Sequence, residues 1–413
     1  MLWTYRFITN LFYLAVYPFG KGRSDRGHQL WKGRLGLLSP RRTGCIWLHA
    51  SSVGEVRVTA HLVDYLLKRD DSLAIHLTTM TRAGFNTALK IHRSDNVTIS
   101  YFPYDTMRAI KKTVDAIKPD LLIIAETEIW PNLICEADAR KIPIVLANAR
   151  MTEKAYRRYR IFRRTMGDLL NKYDRFFFKS DDDANRYYRL GLADEKGRVL
   201  GDMKFDAPLL ERTSEKTREI RQNAGVPADS FIFVAGSTHP GEEAIMANAF
   251  RELSFEFKNL VLVIAPRKVD RVGEIKALFD DKAVDFALFG DNPQDRRVVL
   301  VDRMGILNDL YLTADLSFVG GTLVDIGGHN ILEPVWAGCP VLFGPSVFNV
   351  REASDYVLGH NYGAMVRSEE ELVSLLKKVL VGDIIYATKQ SRDLETSPTA
   401  VIGDYILEKL KNA

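Results

Sequence analysis

The chain has 413 residues with 46% hydrophobic and 27% charged side chains, an ordinary globular balance that excludes long disorder. That length exceeds the ~250 to 300 residues at which one hydrophobic core stops growing, so two domains are expected. The formal net charge of +4 is small for such a chain, and where the charge lies matters more than its sum.

Leu2 to Phe19 is mostly apolar and aromatic, interrupted by Arg6 and Asn10 and followed by Lys21, Arg23, Arg26, Lys32, Arg34, Arg41 and Arg42. It is about long enough to cross a bilayer and rich in interface-preferring Tyr and Trp. The charge follows the apolar run and Pro18-Phe19-Gly20 ends it, the reverse of a cleavable signal. The expectation is an uncleaved membrane anchor over residues 1–20, with the body on the cytoplasmic side. Cys45, Cys135 and Cys339 agree with that compartment: they are widely spaced, odd in number and set among apolar residues, unlike a disulfide framework or a metal site.

From Cys45 the pattern repeats as strand, turn, helix. Cys45 to Ala50, Leu73 to Thr79, Val97 to Tyr101, Leu121 to Ala125, Ile142 to Ala147 and Arg175 to Lys179 read as strands. The polar stretch Glu211 to Gln222 reads as a junction. The alternation restarts with Phe231 to Ala235, Leu260 to Ala265, Val284 to Phe289, Val298 to Val301, Leu316 to Val319 and Val341 to Phe343. The class is α/β, two Rossmann-like domains facing each other across a cleft: residues 21–210, then 211–390, with a C-terminal helical segment at 391–413.

In open parallel sheets ligands sit outside the carboxyl ends of the strands. In the first half those ends carry Ser51, Ser52, Gly54 and Glu55, then Thr79 to Thr81, then Glu126 to Glu128, then Asn148 and Arg150. In the second they carry Ser237, Thr238 and His239, then Arg267 and Lys268, then the run from Phe318 to Asn349. There Gly320-Gly321-Thr322 and Gly327-Gly328 let a ligand approach the backbone, and the helix-like run from Ile331 to Ala337 offers free N–H groups, so a phosphate fits. Glu333, one turn inside, suits a sugar or base. Carboxylates on one side and glycines, hydroxyls and cations on the other suit an acceptor site with a general base opposite a nucleotide-phosphate site.

Asp181-Asp182-Asp183 offers a metal-binding pattern, but it follows a strand and opens a helix, where capping is its role. His239 and His329 show no paired ligand spacing, so no metal and no other cofactor is assigned. Arg150, Lys154, Arg157, Arg158, Arg160, Arg163 and Arg164, interleaved with Tyr156, Tyr159 and Phe162, form a basic aromatic helix. Beside a membrane anchor its partners are anionic headgroups or phosphates, not nucleic acid.

WLHASSVGEV (Trp47 to Val56), TTMT (Thr78 to Thr81), ETEIWPNLI (Glu126 to Ile134), LANAR (Leu146 to Arg150), AGSTHPGEE (Ala235 to Glu243), APR (Ala265 to Arg267), FVGGTLVDIGGHNILEP and FGPSVFN resemble the 3-deoxy-D-manno-octulosonic acid (Kdo) transferases of lipopolysaccharide assembly. The resemblance implies a GT-B fold at the inner membrane that moves Kdo from CMP-Kdo to the lipid A precursor with inversion, without a divalent metal at the phosphate. It implies Glu55 as the base and Glu126 as a second essential acid. Ser237, Thr238, Arg267, Gly320, Gly321, Thr322, Asn330 and Glu333 are then expected on the donor, and Ser52, Gly54, Thr79, Thr81, Asn148, Arg150, Arg157, Arg158 and Arg160 on the acceptor. Glu128 reads as a cap of the helix that begins at Trp130-Pro131. Arg82-Ala83 stands where the family commonly has Pro-Thr, Arg158 lies near a usual glycine, and Gly236 interrupts a usual Ala-Ser. A transferase or epimerase using another nucleotide sugar, and a non-catalytic lipid- or nucleotide-binding membrane protein, remain the alternatives.

Overall fold

The computed structural model describes residues 2–21, 28–38, 43–206, 210, 213–227, 229–291, 296–389 and 396–411. The chain divides into two compact units, Met1–Ala207 with Leu394–Ala413, and Pro208–Asp393.

Among the described residues the first unit has seven parallel strands: β1 (Cys45–His49), β2 (Ile75–Thr79), β3 (Val97–Tyr101), β4 (Pro119–Ala125), β5 (Ile144–Ala149), β6 (Arg175–Phe178) and β7 (Gly197–Val199), in the order β3-β2-β1-β4-β5-β6-β7. Its helices are α1 (Leu2–Lys21), α2 (His28–Arg34), α3 (Val53–Arg69), α4 (Arg82–Ile91), α5 (Met107–Ile117), α6 (Pro131–Ala139), α7 (Glu153–Arg160), α8 (Arg163–Leu170) and α9 (Asp181–Arg189). Helices cover both faces, so β1 and β2 are buried along their whole length, and their near-continuous apolar sequences follow from that. Hydroxyl residues cap α3, α4, α5, α7 and α9: Ser52, Thr81, Thr106, Thr152 and Ser180 each accept a backbone N–H three residues on.

The second unit carries β8 (Phe231–Thr238), β9 (Leu260–Pro266), β10 (Ala287–Leu288), β11 (Val298–Leu300), β12 (Leu316–Val319), β13 (Val341–Phe343) and β14 (Gly363–Met365), in the order β10-β11-β9-β8-β12-β13-β14 and again parallel. Its helices are α10 (Ser214–Asn223), α11 (Glu242–Leu253), α12 (Val272–Asp281), α13 (Leu307–Thr313), α14 (Leu332–Trp336), α15 (Arg351–Gly359) and α16 (Glu369–Leu380). The polar stretch expected as a junction is therefore largely α10, which packs on α13 and buries Ile220.

The last helix, α17 (Pro398–Lys411), returns to the first unit. Ile402 and Ile406 share a core with Leu62, Val63 and Leu66 of α3, and Tyr405 donates to Asp174. An added Cβ at Gly403 would lie 2.4 Å from the Tyr65 ring, so a glycine is what lets the two helices close.

The segment expected as an anchor is a two-faced helix, α1. No helix among the described residues is long and apolar enough to cross a membrane. Instead α1 lies against the first unit by one face, where Tyr13 is buried and donates to Leu35 O. Its other face leaves Trp3, Phe7, Ile8, Leu11, Phe12 and Leu14 exposed. Arg6, Asn10 and the tyrosines break the apolar run at helical spacing, which makes the segment two-faced where a spanning helix is apolar all round.

Candidate active site

The carboxylates of the first unit gather where β1 and β4 end. Glu55 lies in the first turn of α3 and forms a capping box with Ser52: the Ser52 hydroxyl accepts the Glu55 N–H (3.3 Å) and donates to Glu55 Oε1 (2.9 Å). The Ser51 N–H donates to Glu55 Oε2 (2.7 Å). Burial raises the Glu55 carboxyl above its ordinary range, the hydrogen bonds from Ser51 and Ser52 pull the other way, and the Glu128 charge adds to the rise. Glu126 follows β4 in the left-handed region (φ 57°), a conformation costing about 1 to 3 kcal/mol for a non-glycine residue. Burial and then the charge of Glu55 raise its carboxyl too, while Arg150 partly offsets them. A buried carboxyl at a strand-end site, raised by desolvation and itself raising its neighbour Glu126, is a group poised to take a proton.

Glu128 has a different task from helix capping. Its Oε2 meets His49 Nε2 at 2.5 Å and accepts from Trp130 Nε1 at 2.9 Å. Burial alone would lift its carboxyl, but the His49 hydrogen bond and charge, with Ser51 and Trp130, hold it below the usual range. His49 is fully buried, stacks on Phe102 and reaches Thr78 through Nδ1. The cap of α6 is Asp105, whose carboxylate accepts the Asn132 and Leu133 N–H groups at 3.0 and 2.9 Å. Tyr5 of α1 donates to the same carboxylate (2.9 Å), so the N-terminal helix is fastened to the helix that follows the Glu126 to Glu128 turn.

Other residues expected on the acceptor have local duties. Ser52 and Thr81 are N-caps, Gly54 lies in the first turn of α3, and Thr79 is buried with its hydroxyl directed at Thr81 O. Asn148 (φ 55°) is buried: its amide donates to Asp202 Oδ1 (3.1 Å) and accepts the Met203 N–H (3.0 Å), which ties the end of β5 to the turn after β7. Arg150 is exposed beside Glu126. The basic stretch is two helices, α7 and α8, broken at Ile161-Phe162, with both of those residues exposed. Arg157, Arg158 and Arg160 are exposed on α7, and Arg157 pairs with Glu153 at 3.0 Å.

In the second unit a cavity of about 310 Å³ opens at the ends of β8 and β9 and is lined by Ser237, Arg267, Arg303, Ile306, His329, Asn330 and Glu333 among others. Ser237 holds φ 55° at the end of β8. Burial raises the Glu333 carboxyl, against the Asn330 hydrogen bond and the Arg267 charge. Arg267 is exposed, and no carboxylate among the described residues forms an ion pair with it.

The expected phosphate cradle is occupied by the protein itself. The buried Glu242 carboxylate accepts from Gly321 N (2.8 Å), Thr322 N (3.1 Å), Leu323 N (3.0 Å) and His239 N (2.9 Å). Gly320, Gly321 and Thr322 therefore do not line the cavity, nor does the fully buried Thr238. Gly320 has a packing reason: a Cβ there would sit 2.3 Å from Ser237 O and 2.6 Å from Thr238 Cα. Gly236 has one too, since a Cβ would lie 2.1 Å from the Tyr311 hydroxyl, so the departure from Ala-Ser accommodates that tyrosine. The helix expected after Asn330 is a five-residue turn, α14, too short for much dipole.

The family profile described as 3-Deoxy-D-manno-octulosonic-acid transferase (kdotransferase) matches residues 29–207. A 3-deoxy-D-manno-octulosonic acid transferase of Haemophilus influenzae is 34% identical over 311 residues, 74% of this chain and 72% of that protein. The chain belongs to the Kdo transferase family. It is a glycosyltransferase that moves Kdo in lipopolysaccharide biosynthesis, as the motifs implied. The Kdo transferase of Aquifex aeolicus is 28% identical over 89% of this chain and 93% of its own. A bifunctional glycosyltransferase/methyltransferase of Fusobacterium nucleatum is 34% identical over 81% of this chain, and the match spans only 52% of that protein. In fold, the two parallel-sheet units resemble the UDP-GlcNAc 2-epimerase of Neisseria meningitidis, with a TM-score of 0.52 and 14% identity over 89% of this chain and all of that one.

Within this Kdo transferase, local sequence pointed to Glu55, Glu126, Ser237, Arg267, Asn330 and Glu333. It did not point to the Glu128–His49 pair or to Glu242. Those contacts join residues about 80 positions apart, and a strand histidine or a first-turn glutamate carries no local mark of its distant partner.

Proposed function

We propose that this Kdo transferase takes Kdo from CMP-Kdo and delivers it, with inversion, to a hydroxyl of the lipid A precursor, as a GT-B enzyme on the cytoplasmic face of the inner membrane. The pair Glu55 and Glu126 carries the reading. Glu55 removes the acceptor proton as the new glycosidic bond forms and the bond to the CMP phosphate breaks; a base raised toward neutral pH is matched to that task. Glu126 stabilises the positive charge that develops on the sugar. On the second unit, Ser237, Arg267, Asn330 and Glu333 hold CMP, with Arg267 beside the leaving phosphate and Glu333 on the ribose. No cofactor or metal is required, the phosphate charge being met by Arg267 and hydrogen bonds.

Membrane attachment is interfacial in this reading. Trp3, Phe7, Ile8, Leu11 and Leu14 of α1 enter the headgroup boundary while Tyr5 and Tyr13 hold the helix to the protein. Arg157, Arg158 and Arg160, beside exposed Ile161 and Phe162, meet anionic headgroups or the acceptor phosphates.

The test is to incubate the purified chain with CMP-Kdo and lipid A precursor and weigh the lipid product. A mass gain of one or more Kdo units is expected, with CMP released in equal number. Release of CMP without a heavier lipid, or no release at all, rejects the donor–acceptor pair.

A further inference from the structure

His239 follows β8 and His329 follows β12, and the fold brings Nε2 of one to 2.8 Å from Nε2 of the other, with the rings near parallel at 12°. At that distance one imidazole donates through Nε2–H and the other accepts through a bare Nε2, so the pair shares a single proton. No metal fits between them: two tetrahedral Zn–N bonds of about 2.0 to 2.1 Å would hold the nitrogens roughly 3.3 Å apart. His329 lines the cavity that also holds Ser237, Arg267 and Glu333.

We propose that the His239–His329 pair is an anion subsite of the donor cavity that gains one proton as the phosphate of the nucleoside monophosphate enters. The proposal rests on the donor reading above. The charged groups around the pair set its free state. Arg267 from the end of β9 opposes a proton on His329, and Arg303 from the loop after β11 and Glu333 of α14 line the same cavity. Glu242 of α11 is engaged by four backbone N–H groups, one of them that of His239. Burial, then His239 and Arg267, hold His329 below the ordinary histidine range, so the neutral His329 ring is favoured in the empty cavity.

An arriving anion reverses the balance, because opposite charge within about 4 to 6 Å favours the charged form. The proton comes from solvent and goes to the bare Nδ1 of the donating ring, so both rings then carry an Nδ1–H while the Nε2–H···Nε2 bond is kept. The protonated pair binds the anion more tightly, so affinity is full at low pH and is lost as pH rises through the pair's pKa in the complex. Each unit by which the anion raises that pKa is about a tenfold gain in affinity at low pH.

The experiment is calorimetry of the full chain with CMP at pH 7.5 in two buffers of very different ionisation enthalpy, with cytidine as the control lacking phosphate. Uptake approaching one proton per CMP, and none with cytidine, is expected. His329→Gln and, separately, His239→Gln should abolish the uptake and flatten the pH dependence of CMP affinity, while the wild-type count decides the matter even if a variant fails to fold. CMP binding without proton uptake, or uptake retained in a folded variant, overturns the proposal alone. Absence of CMP binding overturns the donor reading and this inference with it.

Discussion

Replacing Glu55 with Gln separates a catalytic carboxylate from a helix cap. Glu55 is the third residue of α3, and both of its oxygens are engaged, by Ser51 N–H at 2.7 Å and by the Ser52 hydroxyl at 2.9 Å. Glutamine serves a capping box as well as glutamate does: its carbonyl still accepts from Ser51, and its amide can donate to Ser52 Oγ. The fold also raises this carboxyl, which means that ionised Glu55 costs the native state some stability, and the neutral amide relieves that. Stability should therefore be unchanged or slightly higher. Turnover should fall by about 10² to 10⁴, the usual contribution of a general base, or roughly 2.7 to 5.4 kcal/mol of barrier. Glu55→Ala should show the same loss of turnover plus a cap loss of about 1 kcal/mol in stability. The assay is product mass against time with CMP-Kdo and lipid A precursor, paired with thermal unfolding. The wild type adds a pH check: a base works ionised, so kcat/KM should be full above the raised Glu55 pKa and fall as pH drops through it, at higher pH than an ordinary glutamate would allow. A Glu55→Gln enzyme keeping more than a tenth of wild-type turnover refutes the reasoning and leaves Glu55 as a cap.

On the donor side, Glu333→Ala and Arg267→Ala should each weaken CMP binding by about 1 to 3 kcal/mol by calorimetry, as for lost charged hydrogen bonds; unchanged affinity in both moves the donor site elsewhere. Glu242→Gln should lower the unfolding midpoint, because an amide turns one acceptor into a donor facing two backbone N–H groups, either Thr322 and Leu323 or Gly321 and His239; a loss of about 1 to 3 kcal/mol is expected, and an unchanged midpoint contradicts the cradle described for it. Tyr5→Phe should lower kcat modestly even in detergent, since it removes one hydrogen bond of the Asp105 cap on α6, whereas Phe7→Ser with Leu11→Ser should weaken vesicle binding and leave kcat in detergent unchanged. Replacing Arg157, Arg158 and Arg160 with Gln should raise the acceptor KM, most strongly at low salt, because each cation near an anionic surface is worth about 1 kcal/mol and is screened within a Debye length; wild-type acceptor kinetics at low salt would make that helix a solvated face.

Much of the fold follows from the sequence alone. Val97–Tyr101, Leu316–Val319 and Val341–Phe343 are strands at the bounds their apolar runs predict, and the strand-end positions of Glu55, Glu126, Ser237 and Arg267 follow from the alternation. Strand and helix identity is written in neighbours along the chain, through apolar periodicity and the hydroxyls that open helices such as α3, α4, α5 and α9. Two three-residue edge strands, Gly197–Val199 and Gly363–Met365, have too few residues for a periodic signal, and their existence depends on the partner beside them. Only tertiary structure decided which polar group meets which. It filled the glycine turn with Glu242, joined Glu128 to His49 and His239 to His329, capped α6 with Asp105 and returned α17 to the first unit. A buried hydrogen-bonding group must find a partner wherever the fold brings one, and that partner's distance along the chain leaves no local trace.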